Sequence, residues 1–521
     1  MGAKKTKKRK TKKTTPSKLR VGIDFGTTHT IVALADDGNY PILNLPFEYK
    51  EEVLTTDRVQ SCVAFYDGHI LFGPAAHACH LDHYEDGAVL IKSIKRLLRD
   101  WHEGQQINFG EFIIDVDELL TQFLTELRYS IFRALDIDGE PEIEAVIAVP
   151  ANAPSSQRFV TLRCFKNAGF KIVRILDEPC ASAIQFVHER YKRWDRVQAD
   201  VIIYDLGGGT FDTTYLAIRK GTYDPRLTRG ISRLGGDDFD ELLLQMVEEK
   251  SDTNFAGAER VRMLDIIREA KESIGPRSRN LHVETKDDVV TIKIKEFEER
   301  AAELVDRTIQ LVDDVVHKAT EGEKTADRIV LVGGGSLLRS VIKKLQERYG
   351  KTKLHRGLYP LASVAIGAAI QAGSPELAVR DRLTNHFGVV RVCEDGSEYI
   401  DVIFPKGQVL PQKGESIVVA RPPYDPRYNI GCFRYLECDD IVAATGKPTS
   451  APVYWNEVRF PYDCSLSPGE LTELSVERCD HLRHELILEE YALDEFGIIT
   501  SRISRTVQDE FSNCYNLFRR P

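Results

Sequence analysis

Two stretches of this sequence combine an aspartate, a glycine-rich turn and a threonine in the same order. They lie at residues 22–30 and 203–212, and in each a short apolar run ends at an aspartate, Asp24 or Asp205. Glycine turns can direct several backbone N–H groups at phosphate oxygens, because glycine adopts the required φ values and leaves room for a ligand. The duplication therefore predicts two similar lobes that clamp the phosphates of a nucleotide between them.

Three aspartates of these stretches, Asp24, Asp205 and Asp212, are candidates for holding a metal ion. The Mg²⁺ that accompanies a triphosphate prefers carboxylate and water oxygens. Threonine hydroxyls in both turns can donate hydrogen bonds to phosphate oxygens. The chain contains no G-x-x-x-x-G-K-[ST] string, which excludes a Walker-type phosphate loop.

Apolar periodicity and turn residues predict alternating strands and helices from residue 19 to about 372, which is typical of an α/β region. Predicted strands lie at 145–149, 171–175, 201–205 and 328–332, and a predicted helix lies at 155–167. Small residues crowd 178–184 and 362–370. Such residues let two helices approach closely, and we expect this contact at a hinge between the lobes.

The sequence changes character after residue 373, where Pro and Gly become frequent and long helical periods disappear. We predict an α/β nucleotide-binding domain at 19–373, a linker at 374–385 and a β-sandwich domain at 386–505. Residues 506–521 are expected to be a tail with one short helix at most.

The net charge of −10 conceals a basic segment, because residues 1–20 carry ten Lys and Arg and no acid. We expect residues 1–18 to be a disordered tail that contacts ribosome or nucleic acid, or alternatively a solubilising tail without a partner. The ten cysteines include no C-x-x-C pair, and no apolar run is long enough to span a bilayer. A cytoplasmic protein without membrane contact is predicted, with a nuclear location as an option in a eukaryote.

Several strings together resemble the seventy-kilodalton heat-shock chaperone family, of DnaK type, over residues 19 to about 505. They are IDFGTT at 23–28, AVPA at 148–151 with SQR at 156–158, LDEP at 176–179, DLGGGTFD at 205–212, LGGDDFD at 234–240 and VLVGG at 330–334. The resemblance implies an actin-like ATPase domain that uses ATP or ADP with Mg²⁺, and with K⁺ as a further ion.

The resemblance also implies roles for individual residues. Lys95 would reach the γ-phosphate and the attacking water, Glu178 would orient that water or a cation, and Thr210 would contact the γ-phosphate, with Asp205 also in the catalytic set. The alternatives are a solvated helix lysine at 95 and an exposed acid at a helix start at 178. Residues implied to bind the nucleotide are Gly26, Thr27, Thr28, His29, Gly207, Gly208, Gly209, Thr210, Gly235, Gly236, Lys271, Gly333, Gly334 and Gly335.

The chain departs from the family where adenosine would bind. Arg268 stands where a glutamate is common, Gly275 replaces a serine, and Leu337 replaces the arginine that stacks on adenine. We expect weaker or less base-selective nucleotide binding as a result. The linker also departs, because two arginines interrupt its aliphatic run at 376–383, and coupling between the domains is expected to be weakened or rewired.

The sequence thus predicts a slowly ATP-hydrolysing chaperone that binds unfolded or apolar polypeptide segments, with a J-domain co-chaperone and a nucleotide-exchange factor as candidate partners. Only residues 505–521 follow the predicted sandwich, so we expect no helical lid and fast release of peptide. The alternative is a non-cycling, nucleotide-binding co-chaperone or scaffold. A kinase on the same fold is less favoured, because it leaves the β domain unexplained.

Overall fold

A computed structural model of the chain describes residues 18–98, 101–109, 112–286, 288–322, 325–393, 395–442, 445–467, 469, 471–479, 482, 485–506 and 511–517. The predicted basic tail at residues 1–18 therefore lies outside the described residues, apart from Lys18. Among the described helices, none has both the length and the apolar character needed to cross a membrane.

The first α/β unit is built on a five-stranded sheet with the order β12-β11-β1-β2-β5. Its strands are β1 (Lys18–Phe25), β2 (His29–Leu34), β3 (Leu45–Tyr49), β4 (Glu52–Thr56), β5 (Val59–Gln60), β6 (Val63–Tyr66), β7 (His69–Phe72), β8 (Val89–Ile91), β9 (Gln106–Phe109), β10 (Phe112–Asp115), β11 (Glu142–Val149) and β12 (Phe170–Asp177). Its helices are α1 (Gly73–Asp82), α2 (Val116–Ala134), α3 (Ser155–Asn167) and α4 (Glu178–Arg190). Strands β1, β11 and β12 run parallel, and apolar side chains from the two faces of their sheet are buried in two cores, one with α2 and α3 and the other with α4 and α10 (Ser363–Gly373).

The second α/β unit repeats this plan around a six-stranded sheet with the order β19-β18-β13-β14-β15-β20. Its strands are β13 (Gln198–Leu206), β14 (Phe211–Arg219), β15 (Thr222–Ile231), β16 (Asn280–Glu284), β17 (Val289–Lys293), β18 (Arg328–Val332), β19 (Leu354–Arg356) and β20 (Ala378–Val379). Its helices are α5 (Gly236–Ser251), α6 (Gly257–Glu272), α7 (Ile294–Arg300), α8 (Ala302–Thr320), α9 (Arg339–Tyr349) and α10 (Ser363–Gly373). Short 3-10 turns lie at Ile94–Leu98, Trp194–Arg196, Gly335–Leu337 and Lys351–Lys353. The predicted helix at 155–167 and the predicted strand at 328–332 agree with the structure at both ends.

Helices α4 and α10 pack closely, as the small residues in both predict. A Cβ atom on Gly367 of α10 would lie 1.8 Å from the carbonyl oxygen of Ala181 on α4, and the Ser363 and Ser182 hydroxyls are 3.3 Å apart. Only glycine permits this approach of two backbones. The predicted contact is therefore present, and its role as a hinge stays a prediction.

The linker forms part of the second sheet. Strand β20 pairs in parallel with the edge strand β15, and Val379 is buried. The arginines that interrupt the aliphatic run do not prevent this pairing, because Arg382 turns its guanidinium to Asp224 (Nε to Oδ1, 3.0 Å). Buried Asp381 lies 3.6 Å from Arg174 of β12, so the linker contacts both α/β units.

The remaining part, called the β unit here, consists of two four-stranded antiparallel sheets with the orders β22-β21-β24-β27 and β23-β28-β29-β30. Its strands are β21 (His386–Val392), β22 (Glu398–Phe404), β23 (Ser416–Ala420), β24 (Ile430–Cys438), β25 (Ile441–Val442), β26 (Lys447–Pro448), β27 (Val453–Pro461), β28 (Ile487–Asp494), β29 (Ile499–Arg505) and β30 (Phe511–Asn516). Side chains from both sheets form one core, where the rings of Tyr435 and Tyr491 meet with centroids 6.1 Å apart.

One boundary prediction was wrong. The segment 506–521 was expected to be a tail with a short helix at most, but β30 pairs with β29 from Arg505↔Phe511 to Thr500↔Asn516. The Phe511 ring packs against Phe460, with centroids 5.5 Å apart. Polar residues dominate β30, so its strand state depends on pairing with β29 and not on an apolar pattern of its own.

Candidate functional site

A cavity of about 1360 Å³ lies where the two α/β units meet. Both glycine turns line it, the first from the β1–β2 hairpin and the second from the β13–β14 hairpin. The predicted residues found in its walls are Asp24, Gly26, Thr27, Thr28, His29, Lys95, Glu178, Asp205, Gly207, Gly208, Gly209, Thr210, Asp212, Gly236, Lys271, Gly333, Gly334 and Gly335. The cavity is larger than the roughly 300–1,000 Å³ of ordinary ligand sites, so it can hold a nucleotide.

The two turns have the same backbone geometry. In the first, the N–H of Gly26 donates to the carbonyl of His29, and in the second the N–H of Gly207 donates to the carbonyl of Thr210, both at 3.1 Å. Each turn closes a hairpin in the same register, with Asp24 opposite Ile31 and Asp205 opposite Asp212. The repeat in sequence is thus a repeat in structure.

The glycines let the two turns touch across the cavity. A Cβ on Gly208 would lie 2.5 Å from the Cγ2 methyl of Thr28 in the opposite turn. Gly235 was predicted to bind the nucleotide, but it is not among the residues of the cavity wall. It packs behind the second turn, where a Cβ would lie 2.4 Å from the Gly208 carbonyl oxygen. Its glycine identity is needed for this close packing.

Two serines that the sequence analysis missed hold the first turn in place. The N–H of Ser61 donates to the Thr28 carbonyl (2.9 Å), and its hydroxyl donates to the Gly26 carbonyl (2.9 Å). The Ser93 hydroxyl donates to the Thr27 carbonyl (2.7 Å). These bonds use carbonyl oxygens of the turn and do not engage the N–H groups of Thr27 and Thr28. No motif marks either serine, because both lie far from the turn in sequence.

Lys95 and Glu178 form a buried ion pair in the cavity wall. Lys95 lies in the 3-10 turn Ile94–Leu98, and its Nζ is 2.7 Å from Oε1 of Glu178. Only 6% of the lysine side chain and 16% of the glutamate side chain are exposed. Glu178 is the first residue of α4, where the helix dipole favours a carboxylate. Lys95 is therefore not a solvated helix lysine, and Glu178 is not an exposed acid at a helix start.

The aspartates at the strand ends are half-buried and lie close to other acids. Burial and the nearby Glu178 raise the pKa of Asp24 to about 7, an effect that Lys95 opposes. Burial, together with Glu178, Asp212 and Asp24, raises the pKa of Asp205 well above its usual range. Crowded buried carboxylates of this kind are stabilised by a divalent cation, so the residues fit Mg²⁺.

These aspartates do not form a complete metal site by themselves. No group of three or more His, Cys, Asp or Glu side chains in the described part of the chain could hold a metal ion. Mg²⁺ at Asp24 and Asp205 would therefore need oxygen ligands from phosphate and water, which is its usual behaviour.

Helix α6 forms a further wall of the cavity. Lys271 donates from Nζ to the Gly236 carbonyl (2.8 Å) and lies 2.6 Å from Asp240. Arg268 donates to Asp237 (3.1 Å) and to Asp240 (3.3 Å). Each cation of this wall is therefore paired with a carboxylate of α5.

The remaining wall combines glycines with aliphatic side chains. Gly333 has a φ of +77°, and a Cβ there would lie 2.4 Å from the Leu206 carbonyl oxygen, so this position requires glycine. Leu337 and Leu361 line the cavity beside it. Arg339 also reaches the wall, but its guanidinium bonds to Glu298 (Nε to Oε1, 2.6 Å). The arginine that would stack on adenine in the family has no counterpart at position 337.

Helix α6 also contacts the first unit across the cavity mouth. Arg58 reaches Glu272 (3.4 Å), and His77 bonds to Asp265 (2.9 Å). His29 in the first turn has a pKa lowered to about 4, because it is buried and because Arg268 and Arg58 lie nearby. Its imidazole is therefore neutral near pH 7. A hydrogen bond of 3.2 Å joins its Nδ1 to the Thr28 hydroxyl.

A short chain of residues connects the cavity with the linker. Arg158 of α3 pairs with buried Asp177, the residue before Glu178. Pro150, between β11 and α3, lines the cavity. Burial raises the pKa of Asp381 in the linker, an effect that Arg174 and, less strongly, Arg158 oppose.

Comparisons with known proteins agree with this architecture. A family model described as "Hsp70 protein" matches residues 106–384. A curated relative, "Chaperone protein DnaK" of Mycoplasmopsis pulmonis (strain UAB CTIP), is 30% identical over 368 residues, which are 68% of this chain and 58% of that protein. The chain therefore spans less than two thirds of the length of this relative. Since the family model covers more than half of the sequence, the chain belongs to the Hsp70 protein family.

Proposed function

We propose that this chain binds ATP with Mg²⁺, hydrolyses it slowly and couples that step to the binding of unfolded polypeptide segments. The proposal rests chiefly on the buried Lys95–Glu178 ion pair of 2.7 Å, which lines the same cavity as two glycine turns of equal geometry. In this proposal the two α/β units are the lobes of an actin-like ATPase domain, and the β unit is a peptide-binding β-sandwich.

The residues of the site would act by positioning and by charge. ATP supplies the phosphoryl group, and hydrolysis then requires an aligned water and neutralised charge. The N–H groups of both glycine turns and the Thr210 hydroxyl bind phosphate oxygens. Glu178, held by Lys95, accepts a hydrogen bond from water and orients it, while Lys95 places a positive charge beside the terminal phosphate.

The acidic residues would complete the site by binding the cation through water molecules. Asp24, Asp205 and Asp212 would bind Mg²⁺, largely through water molecules, and K⁺ is a candidate second ion. Their crowding supports this role, since Asp205 has Asp24 and Asp212 among its close acidic neighbours.

Coupling to polypeptide binding would use contacts between the cavity and the β unit. The Arg158–Asp177 pair, the linker strand β20 and the following Asp381 connect the Glu178 region with the β unit. Unfolded polypeptide segments, a J-domain co-chaperone and a nucleotide-exchange factor are the proposed partners. Ribosome or nucleic acid is the proposed partner of the basic tail, and a cytoplasmic location stays a prediction.

A non-cycling scaffold is the second candidate function. It is favoured by Arg268, which engages both Asp237 and Asp240 and so occupies two carboxylates that line the cavity. Nucleotide would then bind weakly, or would stabilise the fold without being hydrolysed.

One set of turnover measurements separates the two candidates. ATP hydrolysis is measured for the wild type, for Lys95→Ala and for Lys192→Ala, an exposed control lysine, each with and without an unfolded client and a J-domain protein. The chaperone proposal expects client-stimulated hydrolysis that Lys95→Ala lowers by about a hundredfold or more. Nucleotide binding without any hydrolysis in the wild type would support the scaffold instead.

The tail is tested by deleting residues 1–17 and measuring association with ribosomes and RNA at two salt concentrations. A tail that binds phosphates must lose affinity as salt rises. Association that is unchanged by the deletion would contradict its proposed role.

A further inference from the structure

Arg96 reaches across the cavity from one α/β unit to the other. It follows Lys95 in the 3-10 turn of the first unit, and it lines the cavity. Its Nη2 lies only 2.3 Å from the position that a Cβ on Gly209 would occupy in the second glycine turn. The guanidinium is therefore in contact with the backbone of that turn.

The neighbouring Lys95 is in a different situation. Its ammonium is buried and committed to Glu178 at 2.7 Å, whereas Arg96 is exposed to the cavity. Within the part of the chain that the structure describes, no hydrogen bond or ion pair engages the Arg96 guanidinium. The acid close to it is Asp237, whose Oδ2 lies 3.8 Å from the same Cβ position at Gly209. Asp237 already accepts a hydrogen bond from Arg268 (3.1 Å).

A guanidinium with free N–H groups beside a glycine turn suits a phosphate. Its planar fork can donate two parallel hydrogen bonds to phosphate oxygens, which an ammonium cannot do. Lys95 and Gly209 are both assigned to the phosphates in the proposed function, whereas Lys271, Gly333 and Leu337 line the cavity from the second unit. A residue of the first unit next to Lys95 and Gly209 is thus placed at the phosphate end of the cavity.

We propose that Arg96 binds the terminal phosphate of a nucleoside triphosphate and so distinguishes triphosphate from diphosphate. This inference rests on the proposed function, and it adds a binding residue of the first unit to the second glycine turn. Because the contact joins the two units, a ligand that carries the third phosphate draws Arg96 and the second turn together, and one that lacks it does not.

A substitution at Gly209 tests the same contact without changing residue 96. A methyl group at this position would collide with Nη2 and displace the guanidinium. Gly209→Ala is therefore expected to reproduce the loss caused by removing the Arg96 side chain, although residue 96 itself is unchanged.

The experiment measures dissociation constants of a non-hydrolysable Mg²⁺–ATP analogue and of Mg²⁺–ADP for the full chain by calorimetry. We expect Arg96→Ala to weaken triphosphate binding by about tenfold or more and diphosphate binding by less than about threefold. Arg96→Lys should restore part of the loss. Lys92→Ala, an exposed cation in the same segment that is not part of the cavity wall, should change neither constant.

Thermal unfolding of the nucleotide-free variants serves as the control for folding. Equal losses for both nucleotides, or an unchanged constant for the triphosphate, would overturn the role of Arg96 while leaving the proposed function intact. A wild type that binds neither nucleotide would overturn the proposed function itself and this inference with it.

Discussion

Glu437 on β24 of the β unit accepts two hydrogen bonds from Ser155, the first residue of α3. The Ser155 hydroxyl lies 2.5 Å from Oε1 and its backbone nitrogen 3.4 Å from Oε2. Both residues are buried at this contact. Two residues further along α3, Gln157 lines the cavity, and Arg158 pairs with Asp177 beside Glu178. The β unit thus contacts the end of the helix that borders the candidate site.

Glu437→Ala should weaken docking of the β unit on α3. The change leaves the Ser155 hydroxyl and N–H without their acceptor in a buried interface, at an expected cost of about 1–3 kcal/mol. Faster proteolysis within the linker at 374–385 would report the loss. Glu490→Ala, on the exposed side of β28, serves as the matched control. Equal proteolysis rates for both variants would contradict a docking role for Glu437.

Asp24 should make the stability of the nucleotide-free protein depend on pH. Its pKa is raised from 3.8 to about 7. The contribution of this carboxyl to the free energy of unfolding is therefore full below about pH 4 and is lost as pH rises towards 7. Asp24→Asn should flatten this decline and give a higher Tm than the wild type at pH 8. Thermal unfolding between pH 5 and pH 8 measures the effect, with Glu51→Gln as an exposed control. Parallel curves for Asp24→Asn and the wild type would show that Asp24 is not the titrating group.

Arg268 should reduce discrimination among nucleotides. Because it engages Asp237 and Asp240, these carboxylates are not available to accept hydrogen bonds from ribose hydroxyls. We expect ATP, dATP and GTP to bind within about tenfold of each other, which is about 1.4 kcal/mol. Arg268→Gln should release Asp237, while Asp240 stays paired with Lys271, and should increase the preference for ATP over dATP. Competition titrations measure these ratios, and a wild type that binds ATP submicromolarly and orders of magnitude better than GTP would refute the expectation.

Gly367→Ala should destabilise the fold although alanine is the better helix former. Alanine gains up to about 1 kcal/mol in helix propensity. Its Cβ would, however, lie 1.8 Å from the Ala181 carbonyl oxygen, and this clash costs more than the gain. The expected net loss of stability is about 1–3 kcal/mol. Urea unfolding measures the change. Gly373→Ala at the end of the same helix is the control, since its Cβ would have ordinary contacts from 3.6 Å. Unaltered stability of Gly367→Ala would mean that α4 and α10 separate easily.

Local sequence was sufficient for the hairpins of the site and for the strands that carry them. Each glycine turn joins strands only a few residues apart, so apolar runs, glycines and an aspartate specify the whole hairpin. The same holds for helix α3 and strand β18, whose ends are predicted by nearby turn residues. Lys95 and Glu178 were identified through family resemblance alone, because neither residue stands in a pattern that indicates their pairing.

Tertiary structure decided the features that join distant segments. Ser61 and Ser93 brace the first turn, Gly235 lies behind the second, and β30 is a strand only because β29 pairs with it. None of these contacts leaves a periodic signal in the sequence. The sequence by itself therefore determined two equivalent glycine turns, each preceded by an aspartate at a strand end, and predicted that they bind phosphate. Only the fold decided that Arg96 crosses to the second turn, because this contact depends on how the two units meet. It also decided that Arg268 engages two carboxylates, because that contact depends on how α5 and α6 pack.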